Sequence, residues 1–157
     1  MAQAECLHCG NMRPLLDQCP HCGSTLLPNV FIDTVELNLK DGQPSVEAAL
    51  EKLTDYLHKS ENLGIKAIVL IHGYGSSGEG GQIKRAVHHA LDNSYFSDRV
   101  DEYFYGEHVP YSSSAYHALI KKRPRLKIHL EKFKSGNAGI TVLLLNSTSV
   151  RKKLLKA

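Results

Sequence analysis

The 157-residue sequence predicts an α/β fold, a two-layer sandwich of order β-α-β-α-β-β with an insertion before the last strand and a small cysteine-bearing module in front. Three observations carry this expectation. Ala67–Ile71 is a continuous apolar run rich in β-branched residues, as suits a strand buried on both faces, and Ile140–Leu145 is apolar enough to sit inside a sheet. Val46, Ala49, Leu50, Leu53 and Leu57 recur at helical spacing, and so do Ile83, Val87, Ala90 and Leu91. Strands alternating with amphipathic helices imply a layered sheet.

Residues 1–27 carry all four cysteines as Cys6-x2-Cys9 and Cys19-x2-Cys22, each pair followed by a glycine, Gly10 or Gly23. Four thiolates at this spacing close a tetrahedral Zn²⁺ site, so the module reads as a structural zinc ribbon whose folding free energy comes from the metal. Two disulfides or a redox pair are the competing readings, and disulfides need an oxidising compartment. His8 and His21 lie inside the knuckles and are expected to face solvent.

Residues 28–32 read as a linker broken at Pro28-Asn29. The main domain is expected over 33–146. Phe31 to Leu39 forms its first strand, with Val35, Leu37 and Leu39 on one side and Glu36 and Asn38 on the other. Ser45 is placed to cap the first helix and Leu63-Gly64 to end it. After the Ala67–Ile71 strand comes His72 and then five glycines within nine residues, from Gly73 to Gly81, before the second helix. Such a loop lets backbone approach a ligand, and the free N–H groups of the following helix favour an anion. Lys84 and Arg85 reinforce that preference. Val100 to Tyr105 is the third strand. Inside the insertion, about 107–137, Ser112 to Ser114 cap a short helix ending before Pro124, and the alternation of Leu126, Ile128 and Leu130 suggests a short strand. Residues 147–157 form a basic tail.

Net charge is +3, but its distribution is lopsided. Residues 121–157 hold 11 of the 19 Lys and Arg with one acidic residue, Glu131, for +10; the preceding 120 carry −7. A basic region on an acidic body points to a polyanionic partner, with Lys121, Lys122, Arg123, Arg125 and Lys127 as its leading contacts. No run reaches the roughly 18 apolar residues of a membrane span, and no apolar signal region is seen, so a cytoplasmic protein without membrane association is expected.

At Val35-Glu-Leu-Asn-Leu39, Ile71-His72-Gly73-Tyr74-Gly75 and Gly139-Ile-Thr-Val142 the chain resembles the Smr (small MutS-related) domain family. The resemblance covers roughly 33–146 apart from the insertion. It implies DNA or RNA as partner, with ribosome association in some members, and endonuclease activity on branched DNA or on RNA at stalled ribosomes. The family's first motif is usually Leu-Asp-x-His-Gly, its Asp and His tied to cleavage. Here Glu36 stands at the Asp position, Asn38 at the His position and Leu39 at the Gly position. Glu36, Asn38 and His72 are therefore the candidate catalytic residues, with Mg²⁺ or Mn²⁺ as cofactor if the chain cuts. Glu36 retains a carboxylate for base or metal chemistry; Asn38 does not exchange protons near neutrality. His72 either shuttles a proton or fixes its loop. Gly73, Tyr74 and Gly75 would contact nucleic acid, Tyr74 by stacking on a base where relatives often carry Lys or Arg. No small-molecule cofactor is expected.

Two other functions compete. An adaptor would use the ribbon and basic tail to dock on a ribosome or protein, without chemistry. An acyl hydrolase would use Val69–Gly78 as an oxyanion strand and loop, but the Gly-x-Ser-x-Gly elbow it needs is missing from the sequence.

Overall fold

A computed structural model describes residues 3–28, 32–73 and 81–146. Expectations for the linker residues 29–31, for Tyr74, Gly75 and the rest of 74–80, and for the tail 147–157 lie outside the described residues.

Two three-residue strands, β1 (Gln3–Glu5) and β2 (Met12–Pro14), pair antiparallel in the cysteine module. The main sheet has β3 (Thr34–Asn38), β4 (Ala67–Ile71), β5 (Val100–Tyr105) and β6 (Ile140–Leu145), in the order β3-β4-β6-β5. β3 runs parallel to β4, and β6 lies antiparallel between β4 and β5. The two apolar runs are thus the central strands, and every residue of β6 is buried. β3 is shorter than expected, yet Leu39 beyond its end stays buried and its N–H bonds the Ile71 carbonyl at 2.8 Å.

Helix α1 (Val46–Leu63) starts at Ser45, whose hydroxyl accepts from the Ala48 amide at 3.1 Å, and ends at Gly64 in the left-handed conformation at φ 75°. The shorter α2 (Gln82–Asp92) begins after Gly81, which offers no side-chain cap. Both pack on one sheet face, where Leu53 and Val87 meet Leu37, Ile68 and Leu143.

The insertion is a layer in its own right. A 3-10 turn (Gly106–His108) leads to α3 (Ser114–Lys122) and α4 (Leu126–Leu130). Tyr116, Leu119, Leu126 and Leu130 cover the second sheet face against Ala67, Val69, Val142 and Leu144. The strand expected at 126–130 is instead this short helix. Leu126 and Leu130, one turn apart, reach the core, whereas Ile128 is left 70% exposed. Pro124, whose carbonyl accepts from the Lys127 amide at 3.2 Å, opens the turn.

The cysteine module packs onto α1. Leu15 and Leu16 join the core beside it, the Tyr56 hydroxyl donates to Asp17, and Lys59 Nζ donates to the Leu16 carbonyl at 2.9 Å. Arg13 is buried, donating to the carbonyls of Leu26 at 2.7 Å, Pro14 at 3.3 Å and Asp17. Among the described residues no helix is long and apolar enough to cross a membrane.

Candidate functional site

The four cysteines are free thiols whose sulfurs all lie within 4.8 Å of one another. Cys6–Cys22 and Cys9–Cys19 are 3.7 and 3.8 Å apart. Four sulfurs about 2.3 Å from a central zinc would be separated by roughly 3.8 Å, so the donor set fits a tetrahedral metal. The glycines complete the knuckles: Gly10 and Gly23 sit at φ 78° and 76° and donate to the Cys6 and Cys19 carbonyls at 2.9 Å each. The Cys9 amide, aimed at the Cys6 sulfur and aided by that of His8, outweighs burial and holds the Cys6 thiol down at about 6. Backbone donors of this kind favour the thiolate a metal needs. Cys6 and Cys19 are buried; Cys9 and Cys22 are exposed.

The three candidate catalytic residues are not brought together. Glu36 points from β3 to the α3–α4 face, where its Oε2 meets His129 Nδ1 at 2.7 Å and Lys132 Nζ at 2.8 Å. Burial raises its pKa, but the hydrogen bonds from Lys132 and His129 win and hold the carboxyl below its ordinary value. Asn38 closes a turn, its Oδ1 accepting from the Lys40 and Asp41 amides at 3.0 and 2.9 Å. His72, 3% exposed, bonds Thr141 Oγ1 through Nε2 at 2.8 Å and the Gly73 carbonyl through Nδ1 at 2.7 Å. Thr141 shares its face with Leu143 and Leu145, on the α1–α2 side, so the sheet separates this pair from Glu36.

A carbonyl only accepts, so Nδ1 of His72 carries the proton and Nε2 accepts from the Thr141 hydroxyl. Burial first, against the Gly73 carbonyl, lowers its pKa to about 4. A neutral imidazole fixed at both nitrogens anchors the start of the glycine loop, together with the His72 and Gly73 amides on the Gly139 carbonyl, both at 3.0 Å. Below about 6.5 the unfolded chain binds a proton that the folded chain refuses until about pH 4. Stability from His72 is complete above 6.5 and is lost on acidification, up to about 3 kcal/mol. Chemical denaturation at pH 7 and 4.5 should show a smaller loss in His72→Gln than in wild type; equal losses would refute this.

Beside His72 stands a second group, to which the sequence alone, with His88-His89 read as mid-helix, assigned no role. His88 stacks on Tyr105 at 3.6 Å and meets the His72 ring edge-on at 5.8 Å. His88 Nε2 is buried without a hydrogen-bond partner among the described residues. Tyr105 and Tyr103 both donate to Asp92, at 2.6 and 2.8 Å. The alternation of Tyr103 and Tyr105 on an edge strand was the available signal. His89 is exposed, its Nδ1 3.2 Å from the Asn93 side-chain nitrogen and its ring edge-on to Tyr95.

The cations divide between layers. Lys84 and Arg85 ride on α2, and Lys84 pairs with Glu107 at 3.3 Å. Lys121 and Lys122 end α3, Lys127 lies on α4, and Arg125 precedes it, 3.9 Å from Asp33. Lys122 pairs with Glu102 at 2.5 Å, and Arg123 is half-buried against the Lys122 carbonyl. Lys121, Lys127 and Lys134 are exposed and make no ion pair among the described residues.

The Smr domain family model matches residues 41–121, just over half of the chain. Among solved structures, the crystal structure of the Smr domain of Thermus thermophilus MutS2 is similar at 21% identity and TM-score 0.43, over 71% of this chain and 96% of that one. No curated protein matches.

Proposed function

The chain belongs to the Smr domain family, and from that premise we propose that it binds nucleic acid, DNA or RNA, through the α3–α4 layer, with the cysteine module held by a structural Zn²⁺. The reading is carried by the exposed ammonium groups of Lys121, Lys127 and Lys134, which belong to a region of charge +10. Arg123 and Arg125 border them. Gly73, Tyr74, Gly75, Lys84 and Arg85 would form a second contact around the glycine loop. Endonuclease chemistry with a degenerate motif is the finer form of the proposal.

Phosphate neutralisation releases counterions, so affinity falls with salt. Fluorescence titration of zinc-loaded protein with a labelled oligonucleotide from 50 to 200 mM salt should give a linear log–log slope. Changing Lys121, Lys127 and Lys134 together to Gln should make that slope shallower by about 2 to 3 units. Unchanged slope and affinity would remove this face from the interface.

A second reading is a non-catalytic adaptor docking on a ribosomal or other protein. Its support is apolar surface on the cysteine module: Leu7, Met12 and Leu26 are 52%, 55% and 60% exposed. A partner retained after nuclease treatment, and lost in Leu7→Ser/Met12→Ser, would favour it.

A further inference from the structure

Asn38 is taken up by a turn and exchanges no proton, but an imidazole reaches Glu36 from the insertion. We propose that His129, delivered by the insertion and oriented by Glu36, is a general base that activates a hydroxyl nucleophile against a phosphodiester of bound nucleic acid. The inference rests on the nucleic-acid reading and adds the residue that acts.

Geometry supports it. The ionised Glu36 carboxylate only accepts, so His129 Nδ1 carries the proton in the neutral ring and Nε2 keeps its lone pair. Among the described residues Nε2 has no hydrogen-bond partner, and it is not a buried unpaired atom. His129 is 24% exposed and Glu36 18%, so the pair is sheltered but reachable. A carboxylate that fixes the tautomer and direction of an imidazole whose second nitrogen faces outward is the arrangement of a base and its orienting group. His72 offers the opposite, with both nitrogens engaged and the ring buried. Lys132, 57% exposed and 2.8 Å from the same carboxylate oxygen, stands beside the ring. Its ammonium is placed to meet a phosphate that approaches His129, where charge grows on the non-bridging oxygens. Lys127 and Arg125, on the same short helix and its approach, extend the positive field.

The step balances without an added reagent. Nε2 takes the proton of the attacking hydroxyl, whose oxygen bonds phosphorus. The bond from phosphorus to the leaving sugar oxygen breaks, and that oxygen takes a proton from solvent. The imidazolium then returns its proton to solvent. The attacking hydroxyl comes either from a ribose 2′ position or from water.

The test uses full-length zinc-loaded protein with structured RNA and branched DNA, with and without Mg²⁺ or Mn²⁺. Mobility shift and cleavage are read separately. Wild type should cleave. His129→Ala should lose about 100-fold or more in rate, and added imidazole should restore part of it without changing the mobility shift. His129→Gln keeps a donor for Glu36 but takes no proton, and should be equally inactive. Glu36→Gln should lower the rate less. A 2′,3′-cyclic phosphate product identifies the ribose hydroxyl as nucleophile, and a linear phosphate identifies water; either supports the base. Binding without cleavage in wild type overturns the proposal and leaves nucleic-acid binding standing, whereas absence of binding overturns both. Full activity in His129→Gln overturns it, and so does a loss in His129→Ala that imidazole fails to repair, which would make the pair a tether for α4.

Discussion

Stripping the proposed zinc from the cysteine module is expected to unfold residues 3–28 while β3–β6 stay folded. The module has two three-residue strands and little apolar side chain of its own. Leu15 and Leu16 are buried, but in the core they share with α1. The knuckles meet through their sulfurs, and beside them the buried Arg13 ties β2 to the carbonyls of Asp17 and Leu26. A structural zinc site contributes an apparent 10–16 kcal/mol, about what such a segment lacks. Without it four thiols, two of them buried, would crowd within 4.8 Å with no cation to hold them. The main sheet has separate cores on its two faces, and only one includes module residues. Amide hydrogen exchange on zinc-loaded and chelator-treated protein checks this directly. Protection of the Cys6, Gly10, Cys19 and Gly23 amides should vanish, that of β4 and β6 should persist, and α1 should lose protection around Tyr56 and Lys59. Cys19→Ser should reproduce the pattern. Intact protection of the module after verified metal loss would show that packing on α1 suffices, and zinc would cease to be structural.

What the sequence disclosed followed distance along the chain. Apolar runs announced β4 and β6, and local caps announced α1, because Ser45 and Gly64 act on residues three or four positions away. The cysteine spacing likewise carried its own geometry. Leu126–Leu130 misled because three apolar residues at alternate positions fit a strand, while the outer two also fit one helical turn; only the sheet face above them decides. Glu36 was legible as a carboxylate and illegible as half of a pair, since His129 is 93 positions away. Nothing local marks Arg13 either, whose buried guanidinium is satisfied by carbonyls of the loop that folds over it.

The insertion is tied at its neck, and the neck gives the largest expected effect of a single methyl group. Gly106 precedes the insertion and Asn137 closes it. A Cβ at Gly106 would lie 1.9 Å from the Asn137 carbonyl oxygen, 2.7 Å from Ile140 Cγ1 and 2.9 Å from the Ile140 carbonyl oxygen. Two of these are backbone atoms, and Ile140 begins the central strand β6, so those two do not yield by rotating a side chain. Gly106→Ala must therefore push the two ends of the insertion apart. The expected cost is about 3 kcal/mol or more, at the upper end for overpacking, or a fall in melting temperature of roughly 10 °C in a chain of this size. Gly42→Ala separates clash from backbone strain. Gly42 has φ 78° and nothing within 4 Å of an added Cβ, so it should cost only about 1–2 kcal/mol. The displacement also has a direction. Asn137 Oδ1 holds the Gly139 amide at 2.7 Å, and the Gly139 carbonyl holds the amides of His72 and Gly73. Strain at the neck thus reaches the root of the glycine loop on one side and the α3–α4 layer carrying His129 on the other. In partly destabilised Gly106→Ala, exchange protection should fall first at His72, Gly73 and α3, before β4. If its melting temperature matches wild type, the two ends of the insertion have room that this packing denies them.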